Sequence, residues 1–454
     1  MSGAPRDWTA RSLAAVWHPC TQMKAHADGG APLVAIAAAE GPWLVDAEGR
    51  RILDGISSWW VNLFGHGHPA LRAALHDQID RLDHVMLAGL THAPVVELSE
   101  KLGALTGLGH AFYASDGASA TEIALKMSAH YWRNVGCPGK NRFVGVAGGY
   151  HGETAGALSV TDIALFRDAY APLVRLSATV ASPDARGAVH QETAVDVALR
   201  AARSLEEWLA AHHDETAAVI LEPLVQCATG MAMHDPAYLH AARALCDRFG
   251  VHLVLDEIAV GFGRTGTMFA HQQAGIRPDF ICLSKGLTGG TLPLAAVLTT
   301  DAVYAAFYDD DAARGFLHSH SYTGNPLACR AALATLDLFE RDDVLAANVD
   351  RAKMIDGFLA PLHTHERVRN ARRIGMIWAW DIADAPANFA RRYARHALAH
   401  GVLLRPIGAT LYAMPPYVLE PDTARHLADG ALAALAATLA EGDGAPAAAE
   451  RALP

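Results

Sequence analysis

A series of short, nearly unbroken apolar runs through the middle of the chain constrains its fold more than any other feature. Residues 142–147, 217–221, 251–255, 280–283 and 294–298 are such runs, and residues 110–114 read as a further strand. Unbroken runs of this length fit strands buried on both faces, because a half-exposed strand would alternate. From about residue 70 to residue 300 they alternate with helix-like stretches. After Ser115-Asp116-Gly117, the residues Ala120, Ile123, Ala124, Met127 and Tyr131 keep the i, i+3, i+4, i+7 spacing of one helix face. The pattern predicts an α/β fold with a mainly parallel sheet flanked by helices.

The flanks read differently. Residues 41–55 hold two apolar runs around a turn-rich Asp46–Gly49 stretch, which predicts a hairpin. From about residue 325 the chain is helix-rich, with strand-like clusters at 374–380 and 402–414, as expected of a smaller α+β domain. The expected organisation is an N-terminal segment of that smaller domain over 1–65, a large domain over 66–324, and the rest of the smaller domain over 325–454. The Ala-rich end from residue 442 reads as a frayed terminus.

Length and charge narrow the function. At about 100–200 residues per domain, 454 residues suit two or three domains. A net charge of −11 without any Lys/Arg block argues against a nucleic-acid partner. Anions can still be held locally at helix N-termini. No apolar run approaches the roughly 20 residues of a membrane span, and the first 20 residues lack the apolar core of a signal peptide. A cytoplasmic protein with no membrane partner is expected. The six cysteines are scattered without any Cys-x-x-Cys, so neither a disulfide framework nor a cysteine metal site is expected.

Ligands of open α/β sheets sit beyond the carboxyl ends of the strands. Glu222, Asp256, Glu257 and Lys285 each follow a predicted strand there. A lone acid at such a place is ordinarily a capping residue, and a lone Lys is ordinarily solvated. A carboxylate followed by a Lys at the end of the next strand is more telling, because it suits pyridoxal phosphate. The amine forms a Schiff base with the cofactor aldehyde and moves protons, while the carboxylate keeps the pyridine nitrogen protonated. Ser115-Asp116-Gly117-Ala118-Ser119 opens the predicted helix and offers backbone N–H groups to a phosphate, although small polar residues open many helices as plain caps. Tyr150, in Gly148-Gly149-Tyr150-His151-Gly152, follows another strand and could stack on the cofactor ring or merely pack.

Two other motifs lead elsewhere. Gly261-Phe262-Gly263-Arg264-Thr265-Gly266 matches a dinucleotide fingerprint, but it opens no clear helix and lacks an acid about 20 residues further on. His66-x-His68 and His318-x-His320 resemble metal pairs without a third ligand, and read as loop histidines; no metal is expected.

Taken together, Leu255-Asp256-Glu257-Ile258, Gly261 to Gly266, Pro278-Asp279 and Ser284-Lys285-Gly286 resemble the class III pyridoxal-phosphate aminotransferases. Trp17-His18-Pro19, Ser57-Ser58-Trp59-Trp60, Gly149-Tyr150-His151-Gly152, Arg405-Pro406 and Tyr412-Ala413-Met414-Pro415-Pro416-Tyr417 resemble one branch of that family. Its members aminate 8-amino-7-oxononanoate in biotin synthesis.

The resemblance implies a fold-type I transferase with a seven-stranded sheet, acting as a homodimer with active sites at the interface. It further implies S-adenosylmethionine as amino donor, Lys285 and Asp256 as catalytic residues, and Tyr150 on the ring. Gly117 and Ala118 would bind phosphate, and Ser321 would reach the phosphate of the neighbouring subunit. Trp59, Arg405 and Tyr412 would bind substrate, with Arg405 on its carboxylate.

One position departs. Cys20 stands where members that use S-adenosylmethionine usually carry Tyr, and residues 318–325 look closer to relatives that use lysine. Lysine is therefore the alternative donor. A broader ω-amino or polyamine transaminase, a silent cofactor-binding regulator and a metal-dependent hydrolase are the remaining readings. Arg405 with Tyr412, the Lys285–Asp256 pair and the missing third ligand speak against them in turn.

Overall fold

The computed structural model describes residues 7–28 and 30–441. The Ala-rich end from residue 442 lies outside them. The chain forms two compact units, one of residues 69–348 and 374–376, the other of the described residues up to 68, 349–373 and 377 onward.

The larger unit is built on a seven-stranded sheet. Its strands are β1 (His110–Ala114), β2 (Arg142–Val146), β3 (Ala178–Val180), β4 (Thr216–Leu221), β5 (His252–Asp256), β6 (Phe280–Leu283) and β7 (Ala295–Thr299), in the spatial order β1-β7-β6-β5-β4-β2-β3. The pairs β2/β3, β2/β4, β4/β5 and β5/β6 are parallel. Strand β7 runs against both β6 and β1. The short connection from β6 to β7 explains this, since a parallel return needs a crossover of a dozen or more residues.

Strands β4 to β7 are buried along their whole length, which is why their sequences run apolar without alternation. The helix Gly117–Asn134 lays Ala120, Ile123, Ala124 and Met127 on Ala218, Ile220, Val254, Phe280 and Val297. Burying a side chain the size of Ile or Met contributes about 1.5–3 kcal/mol. The edge strand β3 is the one the apolar runs did not reveal. It has three residues and only Val180 is buried, so it leaves no hydrophobic pattern.

The smaller unit contains the expected hairpin. Trp43–Asp46 pairs antiparallel with Arg51–Asp54, and Ile36–Glu40 extends the sheet on the other side of Trp43–Asp46. Val402–Leu403 joins Arg51–Asp54 in parallel, while Ile377–Ile382 pairs with Thr410–Ala413 in a second sheet. The helix Pro326–Arg341 groups with the larger unit, beyond the boundary expected at 324. It buries one face against the helices Pro69–Ile79 and Ala93–Thr106.

Candidate active site

The carboxyl ends of β1, β2, β4, β5 and β6 lie at one end of the parallel strands, and each carries a residue singled out above. Asp256 closes β5 and is buried. Its Oδ2 accepts a 2.7 Å hydrogen bond from His151 Nδ1, and its Oδ1 accepts from the Ile258 N–H at 3.1 Å. A carboxylate has about four lone-pair sites, so these two donors orient it and leave capacity for another proton-bearing group.

Lys285 follows β6 with a backbone φ of 44°, a left-handed conformation rare for a residue with a β-carbon. Burial lowers its amine below the usual lysine range, opposed by Cys227, Asp256 and Glu222. A lowered value makes the neutral, nucleophilic amine more available.

Glu222, after β4, is also buried. Its Oε1 accepts from the Tyr150 N–H at 2.9 Å and its Oε2 from the Cys227 N–H at 3.0 Å. Burial nevertheless pushes this carboxyl up to about 7, with His151 opposing and Asp256 reinforcing the shift. The Tyr150 side chain donates to Glu153 at 3.0 Å and packs against Phe166.

Asp116 caps the helix Gly117–Asn134. Its side chain accepts from the Ser119 N–H at 2.9 Å, and its carbonyl accepts from the Ala120 N–H at 3.1 Å. A cap of this kind contributes about 1 kcal/mol. The first-turn N–H groups of Gly117 and Ala118 remain for an anion among the described residues. The Tyr150 loop closes on this turn. Gly152 has φ 116°, and a β-carbon there would lie 2.5 Å from that of Ala118. Thr121 also donates to the His151 carbonyl at 2.9 Å. Only glycine allows so close an approach.

A depressed amine, a buried and oriented carboxylate, and helix N–H groups at neighbouring strand ends are the donor set that pyridoxal phosphate requires. Lys285, Asp256, Gly117 and Ala118 therefore fit the group, and Tyr150 follows an adjoining strand.

The candidates for substrate binding, Trp59, Arg405 and Tyr412, lie in the smaller unit. Ser57, Ser58, Trp59 and Trp60 form a left-handed turn with φ values of 53°, 47°, 71° and 73°. Four such residues in a row cost on the order of 1–2 kcal/mol each. Trp60 Nε1 donates to the Tyr412 hydroxyl at 3.2 Å, with the two rings edge to face. The Arg405 guanidinium lies 4.8 Å from the centre of the Trp59 ring, and its Nη2 donates to the Cys20 carbonyl at 3.4 Å. Trp59 is 39% exposed. Since residue 20 meets Arg405 through its backbone, this contact does not depend on Cys replacing Tyr.

Ser321 sits exposed in the turn after His320. The two histidine motifs are held by neighbours. His66 donates to Asp54 at 3.0 Å, while His318 Nδ1 lies 2.8 Å from Lys126 and its Nε2 lies 3.3 Å from His320. Among the described residues no group of three or more His, Cys, Asp or Glu is arranged to hold a metal ion. Among them, too, no helix is long and apolar enough to cross a membrane.

Sequence reasoning assigned no role to His151 and carried Glu222 no further. His151 is marked only by its place beside Tyr150, and nothing in the sequence pairs it with Asp256.

The family model for class III aminotransferases matches residues 25–435. The chain belongs to the class III aminotransferases. Among curated relatives of this aminotransferase, the adenosylmethionine-8-amino-7-oxononanoate aminotransferase of Helicobacter pylori is 41% identical, covering 93% of this chain and 96% of that protein. The enzyme of that name from Geobacter sulfurreducens is 39% identical, covering 94% and 96%. Among solved structures, that of the same-named Methanocaldococcus jannaschii enzyme superimposes with a TM-score of 0.87 at 33% identity, covering 94% of this chain and 98% of that one. An amine transaminase from an uncultivated Pseudomonas species, in PLP-bound form, gives 0.87 at 31% identity, covering 93% and 99%. The cofactor of this aminotransferase is pyridoxal 5′-phosphate.

Proposed function

We propose that this aminotransferase moves an amino group from S-adenosylmethionine to 8-amino-7-oxononanoate, giving 7,8-diaminononanoate for biotin synthesis. The observation that carries the choice of acceptor is the Arg405 guanidinium lying over the Trp59 ring. A planar cation on an aromatic wall suits a carboxylate at the end of an apolar chain.

Bound pyridoxal phosphate supplies an electron sink that makes a proton beside the reacting nitrogen removable. The residues do the rest. Lys285 Nζ takes the proton from the donor α-carbon and later returns one to the carbon that receives the nitrogen. Asp256 keeps the pyridine nitrogen protonated, and His151 Nδ1–H holds Asp256 in place. The N–H groups of Gly117 and Ala118 would bind the phosphate, and Tyr150 would lie against the ring. Arg405 binds the keto acid carboxylate, with Trp59 and Tyr412 lining its aliphatic chain. The exchange has two stages, so one pocket accepts two unlike molecules in turn.

The reading extends to a cytoplasmic homodimer in which Ser321 serves the phosphate of the neighbouring subunit. Its exposure on a single chain supports that placement. Mass analysis of product after incubation with 8-amino-7-oxononanoate and S-adenosylmethionine tests the function. Formation of 7,8-diaminononanoate is expected; intact keto acid would refute it.

A further inference from the structure

The left-handed turn at residues 57–60 needs an agent that holds it, because L-residues do not settle into four successive positive φ angles unaided. Asp54, at the end of the preceding strand, is fully buried. Its Oδ1 accepts from the Ser58 N–H at 2.9 Å. Its Oδ2 accepts from the Ser58 hydroxyl at 2.7 Å and from His66 Nε2 at 3.0 Å. His66 is fixed in turn by two backbone hydrogen bonds with Gly41, at 2.7 and 2.9 Å. The start of the turn is tied to the residue that follows the strand carrying Tyr412, since Ser57 Oγ donates to the Met414 carbonyl at 2.8 Å.

We infer that Asp54 is a positioning residue for substrate recognition, and that His66 serves to orient it. The carboxylate grips Ser58 by both backbone and hydroxyl, so it fixes the left-handed φ at that residue. It thereby aims the next residue, Trp59, at Arg405. Asp54 itself touches neither ring. A carboxylate suits the task because three donors converge on it, and a buried acceptor-only group satisfies them all. The inference rests on the proposed role of Trp59 and Arg405 in binding the keto acid.

The test compares holoenzyme carrying Asp54→Ala with the double variant Asp54→Ala/Ser58→Gly. Glycine adopts positive φ without a steric penalty, so it should restore a turn that has lost its clamp. For Asp54→Ala, KM for 8-amino-7-oxononanoate should rise about 10- to 100-fold at nearly unchanged kcat. The near-ultraviolet circular dichroism of the tryptophans should change as well. Both should move back towards wild type in the double variant, which a carboxylate serving only stability would not produce. Unchanged KM and spectrum in Asp54→Ala, or no restoration by Ser58→Gly, would overturn the inference. If Asp54→Ala does not fold, Ser58→Ala replaces it. That change deletes one of the three donors, so a raised KM supports the inference and wild-type KM and spectrum refute it. Should wild-type enzyme fail to use the keto acid, the proposed function is what fails. The tryptophan spectra then decide the role of Asp54 in the turn alone.

Discussion

His151 Nδ1 stands 2.7 Å from Asp256 Oδ2, with both side chains buried at the end of the central strand β5. The imidazole N–H donates to the carboxylate and fixes its orientation. Replacing His151 by Phe keeps an aromatic ring but removes the donor. A hydrogen bond to a charged group contributes about 1.5–3 kcal/mol, so kcat should fall roughly 10- to 100-fold while substrate KM changes little. Steady-state kinetics of His151→Phe check this, and wild-type kcat would deny His151 its orienting role.

Lys285→Ala should lose the yellow colour of the lysine-bound cofactor together with turnover. Removing a nucleophile that is also the general base costs on the order of 10²–10⁴-fold or more. Absorbance of the loaded variant and a product assay are the measurements. Surviving turnover would take Lys285 out of its assigned place.

Glu222 makes stability depend on pH in a defined direction. Its carboxyl is raised from 4.5 to about 7 by burial. Between those values the folded chain keeps the proton and the unfolded chain releases it. The stability contributed by the neutral carboxyl is therefore full below about 4.5 and lost as pH rises through about 7, by up to roughly 3 kcal/mol. Glu222→Gln has no proton to lose and should flatten this descent. Urea unfolding of both proteins at about pH 5 and about pH 8 measures the difference. Equal slopes would show that Glu222 does not titrate in this range.

Much of this site was legible in the sequence, and the reason is physical. Strands β4 to β7 are buried on both faces, so their apolar runs mark the strand ends where Asp256 and Lys285 sit. The helix Gly117–Asn134 announces itself by its periodic apolar face and by Asp116 before it. The clamp on Trp59 was not legible, because Asp54 and His66 meet through a hairpin and a loop whose pairing no local pattern encodes. His66 read as half of a weak metal motif for the same reason. The edge strand β3 was invisible because it is short and mostly unburied, so no apolar run distinguishes it from a loop.

Arg405→Ala should discriminate between the partners of the reaction. The guanidinium lies over Trp59 and is proposed to take the keto acid carboxylate. Its loss should raise KM for 8-amino-7-oxononanoate by about 10- to 100-fold, leaving cofactor binding as in the wild type. Titration with pyridoxal phosphate beside steady-state kinetics separates the two. Equal loss of both would make Arg405 a structural residue.

A single-turnover experiment tests the amino donor and the site that accepts it. Purified protein is loaded with pyridoxal phosphate and mixed with S-adenosylmethionine or with lysine in separate reactions, without acceptor. S-adenosylmethionine alone should convert the yellow cofactor to its colourless aminated form, with Cys20 tolerated in the pocket. Conversion by lysine alone would contradict the donor assignment and point to Cys20 as its cause.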